Sequence, residues 1–179
     1  VFVKTLLARQ GTVIWTTESS RPPAEKIFEI VRRFIRLEQT AHRIYASLAE
    51  RFRDYGAVNE FFRTLAQQEE EHAELLEICR VAAMRGSWDG DCLDLYREDV
   101  PYVERTMREA ELKLRAVRSP ADAFWLTIEI ESSEINELFE ATIAATDSQF
   151  VRTLLPFKIA AREPLDYVSR KISYLEPCL

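Results

Sequence analysis

Apolar side chains recur every three or four residues along four separate segments of this chain, and that spacing predicts amphipathic helices. A short turn near Gly56, a long link over residues 87–118 and a second short turn near Asp147 join the segments. This order of connections is typical of a four-helix bundle whose long link crosses one end. Only 4 of the 179 residues are glycine, which argues against a sheet-rich fold with many tight turns. The sequence therefore predicts an all-α bundle with a crossover between its second and third helices.

The first two helices are bounded by turn residues. The first is expected to open near Ser20, with two prolines tolerated in its first turn, and to stop at a turn around Gly56. The second follows and is expected to end near Gly86. Residues 1–20 have only weak helical character and are predicted to be an N-terminal arm, so that residues 21–179 form the bundle domain.

The second half of the chain is predicted to hold a short connecting helix and two longer helical segments. Residues 103–117 of the long link form the short helix in this prediction. Ser119 and Pro120 have the pattern of an N-cap and a first helical residue, and the third bundle helix is expected to continue from them to about residue 145. The fourth segment, residues 151–175, contains two prolines, which predict a kink or a break.

Composition and charge disfavour several classes of partner. The formal net charge is −6 and the pI is about 5.2, whereas nucleic acids and anionic membranes bind basic surfaces. No apolar run approaches the roughly 20 residues of a membrane span. Cys79, Cys92 and Cys178 form no Cys-x-x-Cys pair, which argues against a disulfide framework and favours a reducing cytoplasm.

A carboxylate and an imidazole interrupt the apolar stripe of the second helix. Glu69 and His72 stand one turn apart within it, so both are predicted to face the core. A buried carboxylate and imidazole are costly unless an opposite charge compensates them, and a metal ion would do so. The full stripe consists of Val58, Phe62, Leu65, Glu69, His72, Leu76, Cys79 and Ala83.

Acidic residues in the core stripes of the other helices are predicted to lie at the same height. Glu38 lies 18 residues before Gly56 and His72 lies 16 after it, so both are roughly 24–27 Å from the turn at about 1.5 Å per residue. Glu131 is at a similar distance from the second short turn, and Glu134 follows one turn later at the edge of the same face. Four carboxylates and one imidazole suit iron or manganese, with zinc as a further candidate.

This arrangement resembles the ferritin-like superfamily, and most closely the rubrerythrin type of di-iron carboxylate bundle. Members carry a glutamate on the first helix, Glu-x-x-His on the second, Glu-x-x-Glu on the third, and a further glutamate and histidine on the fourth. Here Glu38 matches the first helix, Glu69 and His72 the second, and Glu131 and Glu134 the third, within a resemblance that covers roughly residues 22–175. The resemblance implies a ferritin-like four-helix bundle that binds iron and reduces peroxide or oxygen.

The fourth segment departs from that family pattern. A short sequence echo between residues 61–65 and 150–154 pairs Glu69 with Lys158, at the position where the fourth-helix motif would begin. The chain contains only 2 histidines, so no second ligand histidine is available there. Lys158 either neutralises part of the acidic cluster, which leaves a one-metal or metal-free site, or extends to solvent from a helix that the prolines rotate.

Two residues that follow Glu38 on the first helix have roles that the sequence leaves open. His42, one turn further along, is either a ligand or a partner of the metal site, or else a histidine that packs at the helix flank. Tyr45, two turns from Glu38, either donates a hydrogen bond to a ligand carboxylate or packs in the core.

Two functions follow from these residues and from the resemblance. In the first, the chain is a cytoplasmic metal-binding protein with one or two iron ions, a non-haem iron oxidoreductase or peroxidase that uses an external electron donor. Such bundles commonly form homodimers, and neither nucleic acid nor membrane is expected as a partner. In the second, the chain is a degenerate structural or interaction protein in which Lys158 replaces the metal charge and redox chemistry is lost.

Overall fold

The structure is a computed structural model that describes residues 24–84, 100–133 and 135–145, and every regular element in these ranges is an α-helix. This confirms the all-α class predicted from the sequence. The helices, numbered in chain order, are α1 (Ala24–Arg51), α2 (Gly56–Met84), α3 (Val100–Leu114), α4 (Pro120–Glu131) and α5 (Ile135–Ala145).

The long helices α1 and α2 pair as a hairpin through the apolar stripes predicted from their spacing. The buried stripe of α1 extends from Val31 to Phe52, and that of α2 from Val58 to Cys79. Burying one leucine or phenylalanine side chain contributes about 1.5–3 kcal/mol, so apolar contact is the main force that holds the hairpin together. Helix α5 packs against both α1 and α2. Residues of α3 and α4 complete the same buried core.

Aromatic rings fill the end of the bundle beside the α1–α2 turn. Phe62 stacks on Phe52 with 6.3 Å between ring centroids, and on Phe124 of α4 with 5.6 Å. Phe61 meets Phe124 edge-on at 5.4 Å. These contacts anchor α4 to the hairpin about 10 Å along its axis from Glu131, since a helix rises about 1.5 Å per residue.

The connecting helix α3 lies three residues earlier than predicted. It spans Val100–Leu114 instead of residues 103–117. The guanidinium of Arg51, the last residue of α1, donates to the carbonyl oxygens of Leu114 at 2.7 Å and Val117 at 2.8 Å. The last carbonyls of a helix have no partner inside it. The side chain of Arg51 satisfies one of them, that of Leu114, and also the carbonyl of Val117 beyond the helix. This contact between helices cannot be predicted from the periodicity of α3 alone.

A two-pronged ion pair also joins α3 to α1. Arg33 Nε donates to Glu104 Oε1 at 2.7 Å, and Arg33 Nη2 donates to Glu104 Oε2 at 2.8 Å. The side chains are 27% and 26% exposed, so solvent screens the pair only in part. Together with the Arg51 contacts, this pair fixes the crossover helix along α1.

Helix α4 starts as the sequence predicts. Ser119 Oγ accepts the backbone N–H of Asp122 at 3.2 Å, and Asp122 Oδ2 accepts the backbone N–H of Ser119 at 2.9 Å. This reciprocal arrangement is a capping box, and Pro120 occupies the first helical turn, where its missing N–H costs nothing.

The prediction of one continuous third helix is wrong. Helix α4 ends at Glu131, and α5 begins at Ile135. Ser133 lies between them, and its hydroxyl and its backbone N–H both donate to the carbonyl of Ile130, at 2.6 and 3.0 Å. Serine side chains that bond nearby carbonyls compete with the helical ladder, and this competition accounts for the turn.

Two predicted parts of the chain lie outside the described residues. They are the N-terminal arm over residues 1–20 and the fourth helical segment with Lys158, so the proposed division into an arm and a bundle domain stays a prediction. Among the described helices, none combines the length and the hydropathy that a membrane span requires.

Candidate metal centre

Glu38 from α1 and Glu69 and His72 from α2 meet in the core. One potential ligand atom of each residue lies within 4.8 Å of the other two, and no other group of three such residues in the described ranges comes this close. The side chains of Glu38 and Glu69 are 2% and 6% exposed, and that of His72 is 12% exposed. The prediction that Glu38 and His72 lie level is confirmed, because Glu38 Oε2 is 3.9 Å from His72 Nδ1.

The imidazole of His72 is oriented from two sides. Its Nδ1 is 3.2 Å from Glu69 Oε2, one turn earlier on α2, so the motif Glu-x-x-His brings these groups into hydrogen-bond contact. On its face lies Phe139 of α5, whose ring centroid is 4.2 Å from that of the imidazole at an interplanar angle of 26°. Packing and hydrogen bonding together point Nδ1 at the two carboxylates.

Burial and mutual proximity shift the protonation of this group. Burial, followed by the negative charge of Glu38, raises the pKa of Glu69 to about 8. Burial opposes a charged imidazole, but the negative charges of Glu38 and Glu69 and the hydrogen bond with Glu69 outweigh it and raise the pKa of His72 to about 10. Without a metal, Glu69 and His72 therefore hold their protons at neutral pH, which limits the negative charge of the group.

Glu38 provides the test of whether a metal ion fits these residues. Its Oε2 is a buried side-chain oxygen that has no hydrogen-bond partner within the part of the chain that the structure describes. A buried carboxylate oxygen without a partner is energetically costly, and a cation is the partner that its charge favours. Two carboxylates and one imidazole are also ligands that iron and manganese accept. The residues present therefore fit a metal ion.

Glu131 is buried in the core, as predicted, but it is not among the three converging groups. The hydroxyl of Tyr45 donates to Glu131 Oε1 at 2.5 Å. Burial and then the charge of Glu131 raise the pKa of Tyr45 well above its ordinary value, so this hydroxyl keeps its proton. Of the two roles that the sequence left open for Tyr45, the structure shows both, since it packs in the core and donates to an acidic residue.

The other residues that the sequence suggested for this site either lie outside the group of Glu38, Glu69 and His72 or have no described side chain. His42 donates from Nδ1 to the carbonyl of Ala66 at 2.8 Å, so it joins α1 to the backbone of α2 and is not one of the converging groups. Glu134 has no described side chain, and its ligand role stays a prediction. Of the neighbouring acids expected from the sequence to be surface charge, Glu70 and Glu74 are exposed, Glu71 is half-buried, and the side chain of Glu137 lies outside the described residues.

Phe139 is the residue near this centre that the sequence analysis missed. It follows Leu138 in the third predicted helix. Nothing in the apolar spacing marks an aromatic residue at this position as part of a metal site. Its contact with His72 depends on the turn between α4 and α5, which the sequence pattern did not indicate.

Comparison with known proteins identifies the family. A family model described as Rubrerythrin matches residues 29–151, a range that includes Glu38, Glu69, His72, Glu131 and Glu134. Searches of curated proteins and of solved structures returned no match.

Proposed function

The chain belongs to the rubrerythrin family, and on that premise we propose that it binds iron through Glu38, Glu69 and His72 and reduces peroxide or oxygen. Glu131 and Glu134, predicted from the sequence as ligands, are proposed as neighbouring carboxylates of the same centre. Manganese and zinc accept similar ligands and are the competing ions. The observation that carries the proposal is the convergence of Glu38, Glu69 and His72, together with a buried Glu38 oxygen that lacks a hydrogen-bond partner among the described residues.

The chain's own residues would prepare the centre for this chemistry. Bound iron would supply the redox step, passing electrons to peroxide or oxygen. Glu38 and Glu69 would bind the cation by charge, and His72 would bind through Nδ1, the ring nitrogen that faces them. Phe139 holds the imidazole in place, and Tyr45 holds a proton at Glu131 Oε1. The surrounding apolar side chains exclude bulk water.

Three further features belong to this proposal. The electrons would come from an external donor. The compartment would be the cytoplasm. The protein would form a homodimer, which the exposed apolar side chains of Leu112 and Trp125, at 62% and 71%, would help to stabilise.

Metal analysis of protein produced with added iron tests the binding. Wild type is expected to retain iron, and the double variant Glu69→Ala/His72→Ala is expected to lose it. A matched control, Glu70→Ala/His42→Ala, removes one acid and one histidine that lie outside the converging group and should keep the metal. Wild type that contains no metal after growth with iron or with zinc would refute the proposal.

Rapid mixing of the chemically reduced protein with hydrogen peroxide tests the reaction. We expect loss of peroxide together with oxidation of the bound iron, and neither change in Glu69→Ala/His72→Ala. If wild type binds iron that peroxide does not oxidise, the metal-binding proposal stands and the reductase proposal is wrong.

A metal-free structural role is the second candidate, and the ion pairing inside the centre favours it. His72 Nδ1 lies 3.2 Å from Glu69 and 3.9 Å from Glu38, so a charged imidazole compensates part of the acidic charge without a metal. Lys158 is the sequence candidate for the remaining charge. In this alternative the bundle serves assembly, and the metal analysis above returns wild type empty of both ions.

A further inference from the structure

We infer that Phe139 is a positioning residue of the candidate metal centre, because its ring fixes the plane of the His72 imidazole and thereby sets how tightly the centre binds a metal ion. The inference rests on the metal binding proposed above and holds for any number of ions. It gives α5 a part in the metal affinity of a group whose three members, Glu38, Glu69 and His72, stand on α1 and α2.

The hydrogen bond with Glu69 does not by itself fix the imidazole of His72. Nδ1 of His72 lies 3.2 Å from Glu69 Oε2, and this contact sets the direction of one ring nitrogen. The second side-chain torsion of histidine has broad, roughly two-fold minima, so a half-turn about it costs little apart from this bond. Such a turn would place the carbon Cδ2 where Nδ1 faces the carboxylates and would remove the nitrogen ligand. A contact on the face of the ring is the constraint that the hydrogen bond does not supply.

The ring of Phe139 supplies that contact. Its centroid is 4.2 Å from that of the imidazole, and the two planes differ by 26°, so the rings lie nearly face to face. A turning imidazole would sweep through the volume on its face, which the phenyl ring fills. Phe139 is only 6% exposed and belongs to the buried core, where close packing leaves it no room to move aside. The stack therefore blocks the rotation that would turn Nδ1 away from the carboxylates.

Two different helices thus orient the imidazole. Glu69 is on the same helix as His72, so their contact follows from the spacing Glu-x-x-His within α2. Phe139 is on α5, which packs against α1 and α2, so the position of its ring depends on the packing of a third helix. Residues that orient metal ligands from behind contribute about 10–100-fold to metal affinity, and we expect a contribution in this range from Phe139.

Titration with cobalt(II), followed by its visible absorption, measures this contribution. Phe139→Leu keeps an apolar side chain and removes the stacked ring, so cobalt binding should weaken by about 10–100-fold. Phe139→Tyr keeps a ring and should restore most of the lost affinity. Phe62→Leu is the matched control and should bind cobalt as wild type does. Phe62 is also buried and stacked on another ring, but it lies about 15 Å from His72 along α2 at the helical rise of about 1.5 Å per residue.

Nuclear magnetic resonance of the metal-free protein, labelled with ¹⁵N-histidine, tests the orientation of the imidazole directly. The chain contains only 2 histidines, and His42, whose Nδ1 donates to the carbonyl of Ala66, is the internal reference. In Phe139→Leu we expect the Nδ1–H signal of His72 to be lost through exchange with water, while that of His42 remains as in wild type.

Wild-type cobalt affinity in a folded Phe139→Leu would overturn the inference, as would equal weakening of cobalt binding in Phe62→Leu. Phe139→Met fills a similar volume without a ring and gives the same comparison if Phe139→Leu does not fold. Wild type that binds no cobalt would instead overturn the proposed function, and the signal of His72 in the metal-free protein then still decides whether Phe139 orients the imidazole.

Discussion

Tyr45 and Glu131 form a buried hydrogen bond that joins α1 to α4 beside the candidate metal centre. Hydrogen bonds to a charged partner contribute about 1.5–3 kcal/mol when they are buried. Tyr45→Phe keeps the ring and removes the donor, so we expect the free energy of unfolding of the metal-free protein to fall by about 1–3 kcal/mol. Urea denaturation followed by circular dichroism measures this loss.

The control for this prediction is Tyr102→Phe. Tyr102 lies on α3 and is 52% exposed, so water replaces its hydroxyl partner and the free energy of unfolding should change by less than about 0.5 kcal/mol. Equal effects of the two substitutions would show that the hydroxyl of Tyr45 contributes nothing specific.

For single residues, the sequence predicted which side chains lie level along the bundle better than which side chains from different helices touch. Glu38, Glu69 and His72 could be brought together from numbering alone, because the rise and period of a helix are local and nearly constant. The hydrogen bond from Tyr45 to Glu131 required the position of α4, and the contact of Phe139 with His72 required a turn that nothing in the apolar spacing indicates. Residue pairs that span separate elements depend on how those elements are placed.

The capping box at the start of α4 is an element-scale feature that the sequence contains in full. Ser119 accepts a backbone N–H that would otherwise lack a partner, and losing such an N-cap costs about 1 kcal/mol. Ser119→Ala should therefore lower the free energy of unfolding by about that amount in thermal or urea denaturation. Ser47→Ala, within α1, is the matched control and should be neutral or slightly stabilising, since alanine is the better helix former. Indistinguishable results for the two would contradict the capping assignment.

Element boundaries that arise from side-chain contacts were not predictable in the same way. Helix α3 ends at Leu114, where Arg51 from α1 donates to the last carbonyl of the helix. Helix α4 ends where Ser133 donates to the carbonyl of Ile130. A capping box can be recognised in the four consecutive residues 119–122. A contact from a guanidinium on another helix has no such local pattern. Serine also occurs within helices, so the apolar spacing did not predict the turn after Glu131.

The ion pair between Arg33 and Glu104, which links α1 to α3, predicts a pH dependence of stability. Hydrogen bonds from Arg33 lower the pKa of Glu104 below its ordinary value. A lowered pKa in the folded state means that the contribution is fully present above the unfolded pKa, about 4.3, and is lost as the pH falls through the folded value. Glu104→Gln should thus be less stable than wild type by about 0.5–1 kcal/mol at pH 7, and the difference should shrink towards pH 3.

Urea denaturation of both proteins at the two pH values measures this difference. Protonation of the buried acids affects wild type and variant alike and cancels in the comparison. Glu50→Gln is the matched control, because its partner Arg53 and Glu50 itself are 67% and 75% exposed and a pair so solvated contributes little. A difference between wild type and Glu104→Gln that stays constant from pH 7 to pH 3 would contradict the assignment.

At the scale of the whole molecule, the fold and the centre constrain each other through charge. An all-α bundle brings residues from distant parts of the sequence to one height, and in this chain it concentrates acids in a core where the imidazole of His72 lies beside Glu38 and Glu69. The additional charge must come from a cation or from a basic side chain elsewhere in the chain. The bundle type could be predicted because both the connection lengths and the ligand spacing indicate it, and the family match over residues 29–151 confirms it.

The sequence echo that pairs Glu69 with Lys158 gives a prediction for the fourth segment. If it aligns that segment correctly, Lys158→Glu combined with Ala161→His creates a second Glu-x-x-His motif at the height of the first. Such a pair of motifs is the ligand supply of a two-ion centre, so the metal bound per chain should rise above the wild-type value in cobalt(II) titration and metal analysis. Lys171→Glu/Tyr174→His makes a similar change in charge at the same spacing further along and should bind as much metal as wild type does. The wild-type metal content in both double variants would show that the echo does not place Lys158 opposite the centre.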